Sequence, residues 1–191
     1  MLKLKVVIAS TRPGRIGLPV GTWFFQRAAA HGNFAVELVD LKEVGLPLLD
    51  EPRHPRLRNY EHVHTKAWSA IVDAADAFVF VTPEYNFAAA PSLINALDYL
   101  YVEWNYKPAA FVSYGAATGG VRSVHMARQV VCSLKMMPMA ESVSIAQVTT
   151  LIDKESGEFR PTEPVEKSVA PMLDELHKWA VALAPMRAPR A

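Results

Sequence analysis

Apolar residues in this chain fall into two rhythms, short unbroken runs and stripes spaced three and four apart, and their alternation predicts strands and helices in turn. Leu4 to Ala9 is a compact strand, and Val20, Trp23, Phe24 and Ala28 after it mark one face of a helix closed by Gly32-Asn33. Ala35 to Leu41 reads as the second strand. An irregular section, Lys42 to Asn59, carries Pro47, Pro52 and Pro55, and its Leu46, Leu48 and Leu49 are expected to tuck against the sheet. The next helix, from about Glu61 to Ala75, is expected to turn Val63, Ala67, Ala70 and Ile71 inward.

Ala77 to Thr82 is apolar almost throughout, as suits a strand covered on both faces. A polar and aromatic loop, Pro83-Glu84-Tyr85-Asn86, then leads to a helix with Pro91 in its first turn and Leu93, Ala96, Leu97 and Leu100 on its inner face. Ala109 to Ser113 is the fourth strand. Its exit, Tyr114-Gly115 through Gly119-Gly120, opens a helix from Val121 to about Met136 with Val124, Ala127, Val131 and Leu134 on one side. Pro138 precedes a last strand near Glu141 to Ile145, and Asp153 to Glu158 is a polar turn. Pro164 to Leu183 is amphipathic, with Val169, Leu173, Leu176, Ala180 and Leu183 inward, and Pro171 either kinks that helix or begins a shorter one.

Strand and helix alternate five times, which predicts an α/β fold with a doubly wound, five-stranded parallel sheet of order 2-1-3-4-5. Residues 1–184 form one domain in this reading, and 185–191 a frayed tail. The loops after strands one, three and four then meet at the switch point, where α/β folds bind ligands.

Composition narrows the function classes. The chain has 191 residues, is 51% hydrophobic and carries a formal charge of +1, so neither a nucleic-acid-binding surface nor a strongly acidic carrier surface is indicated. Cys132 is the single cysteine, which excludes intrachain disulfides and points to a reducing compartment; with no export signal or membrane span visible, a cytoplasmic location is expected. His54, His62 and His64 invite a metal reading that is rejected: His62 and His64 fall on different faces in helical numbering, and no clustered cysteine or carboxylate completes a coordination shell.

The chemistry-bearing loops are distinctive. Ser10-Thr11-Arg12-Pro13-Gly14-Arg15-Ile16-Gly17 supplies hydroxyls, arginines and free N-H groups at a helix start, the parts of an anion site. It is neither a Walker A sequence nor G-x-G-x-x-G, so a terminal phosphate monoester fits better than a nucleoside triphosphate or a dinucleotide. The alternative is a turn whose Ser and Thr merely cap the helix. Glu84, Tyr85 and Asn86 offer an acceptor, a ring and an amide at one rim, although such residues are also common in ordinary connections. Three glycines after Ser113-Tyr114 allow close backbone approach to a flat ligand. Ser113 lacks the G-x-S-x-G setting of a hydrolase nucleophile.

These motifs, with Pro91 and Leu93, Asn95-Ala-Leu-Asp98, and Ser113-Tyr114-Gly115 followed by Gly119-Gly120, resemble the NADPH-dependent FMN reductase family of flavodoxin-like proteins. The resemblance runs from the first strand to about Met139. It implies that Ser10, Thr11, Arg12 and the backbone of Arg15, Ile16 and Gly17 hold the FMN phosphate. Pro83, Glu84, Tyr85 and Asn86 would line the isoalloxazine edge, and Ser113, Tyr114, Gly115, Gly119 and Gly120 would pass under or beside the ring. NADPH would pass hydride to FMN, and a small-molecule acceptor (free flavin, a quinone, an azo or nitro compound, or a metal oxyanion) would take the electrons, with no catalytic side-chain acid or base and no metal. A flavodoxin-type electron carrier docking on protein partners, and a module that has lost its flavin, are the other readings. The resemblance also implies a homodimer or homotetramer, and Tyr99, Tyr101 and Trp104 are the rings expected at the contact unless they pack under the 42–59 section.

Overall fold

The computed structural model describes residues 1–187. Its sheet grows from β1 (Leu2–Ile8), which pairs in parallel with β2 (Phe34–Asp40) on one side and with β3 (Ala77–Tyr85) on the other. Beyond β3, again in parallel, lie β5 (Pro108–Tyr114) and β6 (Met137–Ile145). The parallel path β2-β1-β3-β5-β6 keeps the expected doubly wound order, but the sheet has six strands, because β4 (Ala88–Ala89) pairs antiparallel with the end of β3. Pro83 to Tyr85 are therefore strand and not loop: Pro83 sits opposite Tyr114, and the chain reverses only at Asn86 and Phe87. The proline is tolerated because β1 has already ended beside Val81, leaving β3 a neighbour on one side only.

Alternation along the central strands divides the core in two. Val6, Val79, Val81, Ala110 and Val112 face α1 (Gly17–His31) and α6 (Glu163–Leu183). Val7, Phe78, Phe80, Ala109 and Phe111 face α3 (Val63–Asp73), α4 (Pro91–Asp98) and α5 (Val121–Ser133). The short α2 (Leu41–Val44) follows β2 directly. The stripes expected of α1, α4 and α5 are the buried ones, while α6 runs unbroken through Pro171. Pro138 lies inside β6, on a sheet edge and beside the register shift between Ala109 and Phe111, the setting in which a strand accepts proline.

α3 turns a different face inward from the one its aliphatic residues suggest. Val63 is 82% exposed, while Thr65, Trp68, Ser69 and Val72 are buried. Two polar bonds decide this: Trp68 Nε1 donates to the carbonyl of Ala96 at 2.9 Å, and Ser69 Oγ donates to Glu103 Oε1 at 2.7 Å. The 42–59 section departs likewise, since Leu48 is 82% exposed and Leu46 alone of the three leucines packs on the core. Polar clasps hold it instead. Asn95 Nδ2 donates to Pro47 O at 2.6 Å, and the Tyr99 hydroxyl donates to Asp50 Oδ1 at 2.9 Å.

Tyr99 and Trp104 are consequently buried within their own chain, Trp104 edge-on to Trp68 and Phe78, and neither is available to a second copy. The His62 and His64 rings stack 5.1 Å apart, with His64 Nε2 3.0 Å from Asp50 Oδ1. Helical numbering misplaces them because His62 is extended and precedes the first turn of α3. Among the described residues no group of three His, Cys, Asp or Glu side chains could hold a metal, and no helix is long and apolar enough to cross a membrane. After α6 the chain makes a 3-10 turn (Ala184–Met186), and Arg187 reaches Asp76 at 3.0 Å. Of the expected tail, residues 188–191 lie outside the described residues.

Candidate functional site

The carboxyl ends of β1, β3, β5 and β6 surround a cavity of about 800 Å³. Below its floor, Ser10 is fully buried, and its Oγ and the Tyr114 hydroxyl lie beside each other with no further hydrogen-bond partner among the described residues. Buried polar atoms in that state are costly, so two of them converging mark a place built for a polar guest. Both lie against Gly17, the first residue of α1, where an added Cβ would collide with both hydroxyls. No side chain caps α1 and no acid occupies its first turn, which leaves the positive end of the helix dipole uncompensated. Burial pushes the Tyr114 phenol well above its ordinary pKa, so it stays a donor.

The two arginines of this loop have separate tasks. Arg15 forms a forked ion pair with Asp40 and donates to the carbonyl of Ser10, so its side chain holds the loop. Arg12 lies over the Tyr85 ring, 5.8 Å from its centroid, lines the cavity, and has no carboxylate partner among the described residues. Thr11 turns away, into a separate hollow of about 220 Å³ shared with Lys42 and Ser92.

Ile16, Pro83, Tyr85, Asn86, Tyr114 and Gly115 form the apolar and aromatic walls. Glu84 also lines the cavity but is fully engaged: it accepts from the backbone N-H of Arg122 at 3.1 Å, from Arg122 Nη1 at 3.0 Å and from Thr118 Oγ1 at 3.2 Å. It is a fixture of the wall and not a free base. Ser113, Gly119 and Gly120 stand behind that wall. Ser113 Oγ donates to Gly119 O at 2.8 Å, and a Cβ on Gly120, whose φ is +83°, would lie 2.8 Å from the backbone nitrogen of Tyr114. The close approach these glycines permit is to the strands beside them, Gly120 to Tyr114 of β5 and Gly119 to Ser144 and Ile145 of β6.

A fourth segment, Gln147 to Thr149, lines the cavity without any signal in the local sequence. Gln147 is left-handed, with φ +49°, and its N-H donates to Ala116 O at 2.8 Å while Val148 N-H donates to Gly115 O at 3.1 Å. Topology alone could have found it, since β6 lies beside β5 and their exit loops share a rim. The whole is a cavity lined by a cation and aromatic rings, with two buried hydroxyls at its floor. It suits a flat molecule ending in an anion, and it holds no paired nucleophile and base.

Comparison with known proteins agrees with this geometry. The family model described as NADPH-dependent FMN reductase matches residues 2–150. An NAD(P)H-dependent FMN reductase of Schizosaccharomyces pombe is 43% identical over 120 residues, spanning 62% of this chain and 60% of its own length. One from Saccharomyces cerevisiae is 33% identical over 147 residues, spanning 71% of this chain and 76% of its own. Among solved structures, FerB, a flavoenzyme NAD(P)H:(acceptor) oxidoreductase from Paracoccus denitrificans, shares the fold with a TM-score of 0.72 at 19% identity, covering 95% of this chain and 98% of its own.

Proposed function

Because the chain belongs to the NADPH-dependent FMN reductase family, we propose that it binds FMN in this cavity and moves electrons from NAD(P)H to a small-molecule acceptor. One observation carries the reading: two buried hydroxyls with no partner beyond each other among the described residues lie against the uncapped start of α1, beside a cavity that Tyr114 and Arg12 both line. Ser10 and Tyr114 would donate to the phosphate, the amides of residues 15–17 would add to them, and Arg12 would supply charge-assisted bonds from the cavity side. Tyr85, Asn86 and Gly115 would flank the ring. Bound there, the flavin would supply the redox chemistry between NAD(P)H and the acceptor.

The side chains bind, orient and exclude water. Glu84, neutralised by Arg122, contributes shape without a free negative charge beside an electron-rich reduced ring. A cavity of about 800 Å³ leaves room for nicotinamide and acceptor to occupy one face of the flavin in turn. A flavodoxin-type carrier would need a docking face for protein partners, and the near-neutral formal charge of +1 argues against a strongly acidic one. Assembly into a homodimer or homotetramer belongs to the same reading, and exposed Leu48, Leu57 and Val63 are better candidates for the contact than Tyr99 or Trp104.

Absorbance of the purified protein tests the proposal. Flavin bands that bleach under anaerobic NADPH are expected; a colourless protein that takes up no added FMN would overturn it.

A further inference from the structure

The hairpin between β3 and β4 breaks a local rule. Glu84 pairs with Ala89 and Tyr85 with Ala88, so Asn86 and Phe87 are the two central residues of a two-residue turn, and both have positive φ, +50° and +67°. Such turns take Asn readily at the first position and strongly prefer glycine at the second. Phenylalanine there is strained, and its ring recovers little by burial, being 70% exposed. Backbone strain without a local return is found where the side chain is needed for something outside the fold.

The ring is also held in place. The guanidinium of Arg122 lies over it, 4.1 Å from the ring centroid, and the same guanidinium is paired with Glu84. Asn86 and Ala88, on either side of Phe87, both line the cavity, so the ring stands at the tip of the hairpin that forms this wall, on its rim and outside the lining itself. One face of Phe87 is covered by a cation whose charge is already neutralised, and the ring as a whole remains largely open to solvent.

We propose that Phe87 is a specificity-determining contact for the electron acceptor, offering a ring on which an uncharged planar acceptor of the quinone class stacks as it enters. The inference rests on the flavin-reductase reading of the cavity. The charge state of the clamp selects the class: Glu84 removes the positive charge that would draw an anionic acceptor such as a metal oxyanion, while an aromatic edge favours a flat ring.

Glycine is the informative replacement, because it adopts the left-handed conformation freely and so removes the ring while leaving the turn. With flavin-loaded protein and saturating NADPH, Phe87→Gly is expected to raise KM for 1,4-naphthoquinone about three- to tenfold with little change in kcat, the scale of one ring contact. Phe87→Trp is expected to restore it. Ferricyanide, which has no ring, should show no such rise. Equal rises for both acceptors, or an unchanged naphthoquinone KM, would overturn the proposal, as would a fall in sedimenting mass with the quinone KM intact, which would assign the ring to a subunit contact. Anaerobic bleaching of bound flavin by NADPH in Phe87→Gly separates the two levels: bleaching with no acceptor effect rejects the role of Phe87 alone, and a wild-type protein without flavin rejects the reading beneath it.

Discussion

The guanidinium of Arg15 forks across the carboxylate of Asp40, joining the loop after β1 to the end of β2 with both side chains largely buried. Asp40 holds the Arg15 pKa above its ordinary value, as expected of a cation fixed beside its counter-ion. The same Asp40 also caps α2 by accepting from the N-H of Lys42 at 3.0 Å. Arg15 is therefore part of the scaffold, and Arg12, three residues away, is the cation open to a ligand.

Two substitutions should separate those roles. Arg12→Ala is expected to weaken FMN binding about ten- to a hundredfold, the value of a charge-assisted hydrogen bond, while leaving riboflavin affinity and thermal stability unchanged. Arg15→Ala leaves Asp40 unpaired and should cost about 3 kcal/mol of unfolding free energy in urea titration. Equal loss of both flavins in the Arg12 variant would return Arg12 to the scaffold.

Gly17 is where the cavity floor has no room to spare. Gly17→Ala drives a methyl group into Ser10 Oγ and the Tyr114 hydroxyl, so flavin occupancy is expected to fall about tenfold, equivalent to losing one good hydrogen bond. Adding Ser10→Gly removes one obstacle without restoring the donor. The double variant should then regain stability in a thermal melt but not FMN affinity, measured by flavin fluorescence quenching.

How much of this was legible in the sequence depends on what kind of force set each feature. The strand order and the buried faces of α1, α4, α5 and α6 follow from apolar periodicity, and the structure agrees with it. Periodicity failed where buried polar bonds outvoted it: Trp68 and Ser69 rotate α3 to serve Ala96 O and Glu103, and Tyr99 and Asn95 hold a loop whose leucines look like its anchors. At the site, the loops after β1, β3 and β5 announce themselves by residue type. Gln147 to Thr149 do not, because their part is played through backbone position, fixed by bonds to Gly115 and Ala116. The hairpin at Asn86 was hidden for a related reason, since Asn-Phe is not a pair that signals a tight turn.

Alkaline titration should report on the polar clasp of the 42–59 section. Burial, and then Asp50, raise the Tyr99 pKa from 10.0 to about 12. A raised pKa means that folding stabilises the protonated phenol, so this contribution is complete below about pH 10 and is lost as pH rises toward 12. Tyrosinate absorbance from Tyr60, Tyr99 and Tyr114 should accordingly appear only well above the ordinary phenol range. Tyr99→Phe should cost about 1 kcal/mol at neutral pH and flatten the alkaline loss of stability; a Tyr99 that ionises near pH 10 in the folded protein would contradict the burial described.

Trp104 and Val63 make a paired test of where the chain buries its large side chains. Trp104→Ala opens a void against Trp68 and Phe78 and is expected to cost about 3–5 kcal/mol. Val63→Lys, on the outer face of α3, should change stability by less than about 0.5 kcal/mol. In sedimentation, a lower mass for Val63→Lys with an unaltered melting curve would place that face at a contact between copies, and an unaltered mass would direct the search to Leu48 and Leu57.

The edge strand β6 bears on how the protein behaves in a crowded solution. An open strand is a template for any other extended chain, and a flat apolar one invites stacking into fibres. Here Pro138 has no N-H to offer, and Arg128 Nη2 donates to Met139 O at 2.7 Å and to Ala140 O at 3.0 Å, occupying acceptors along the same stretch. A single proline and one arginine from α5 thus spoil the template, leaving this margin of the sheet a poor partner for another extended chain.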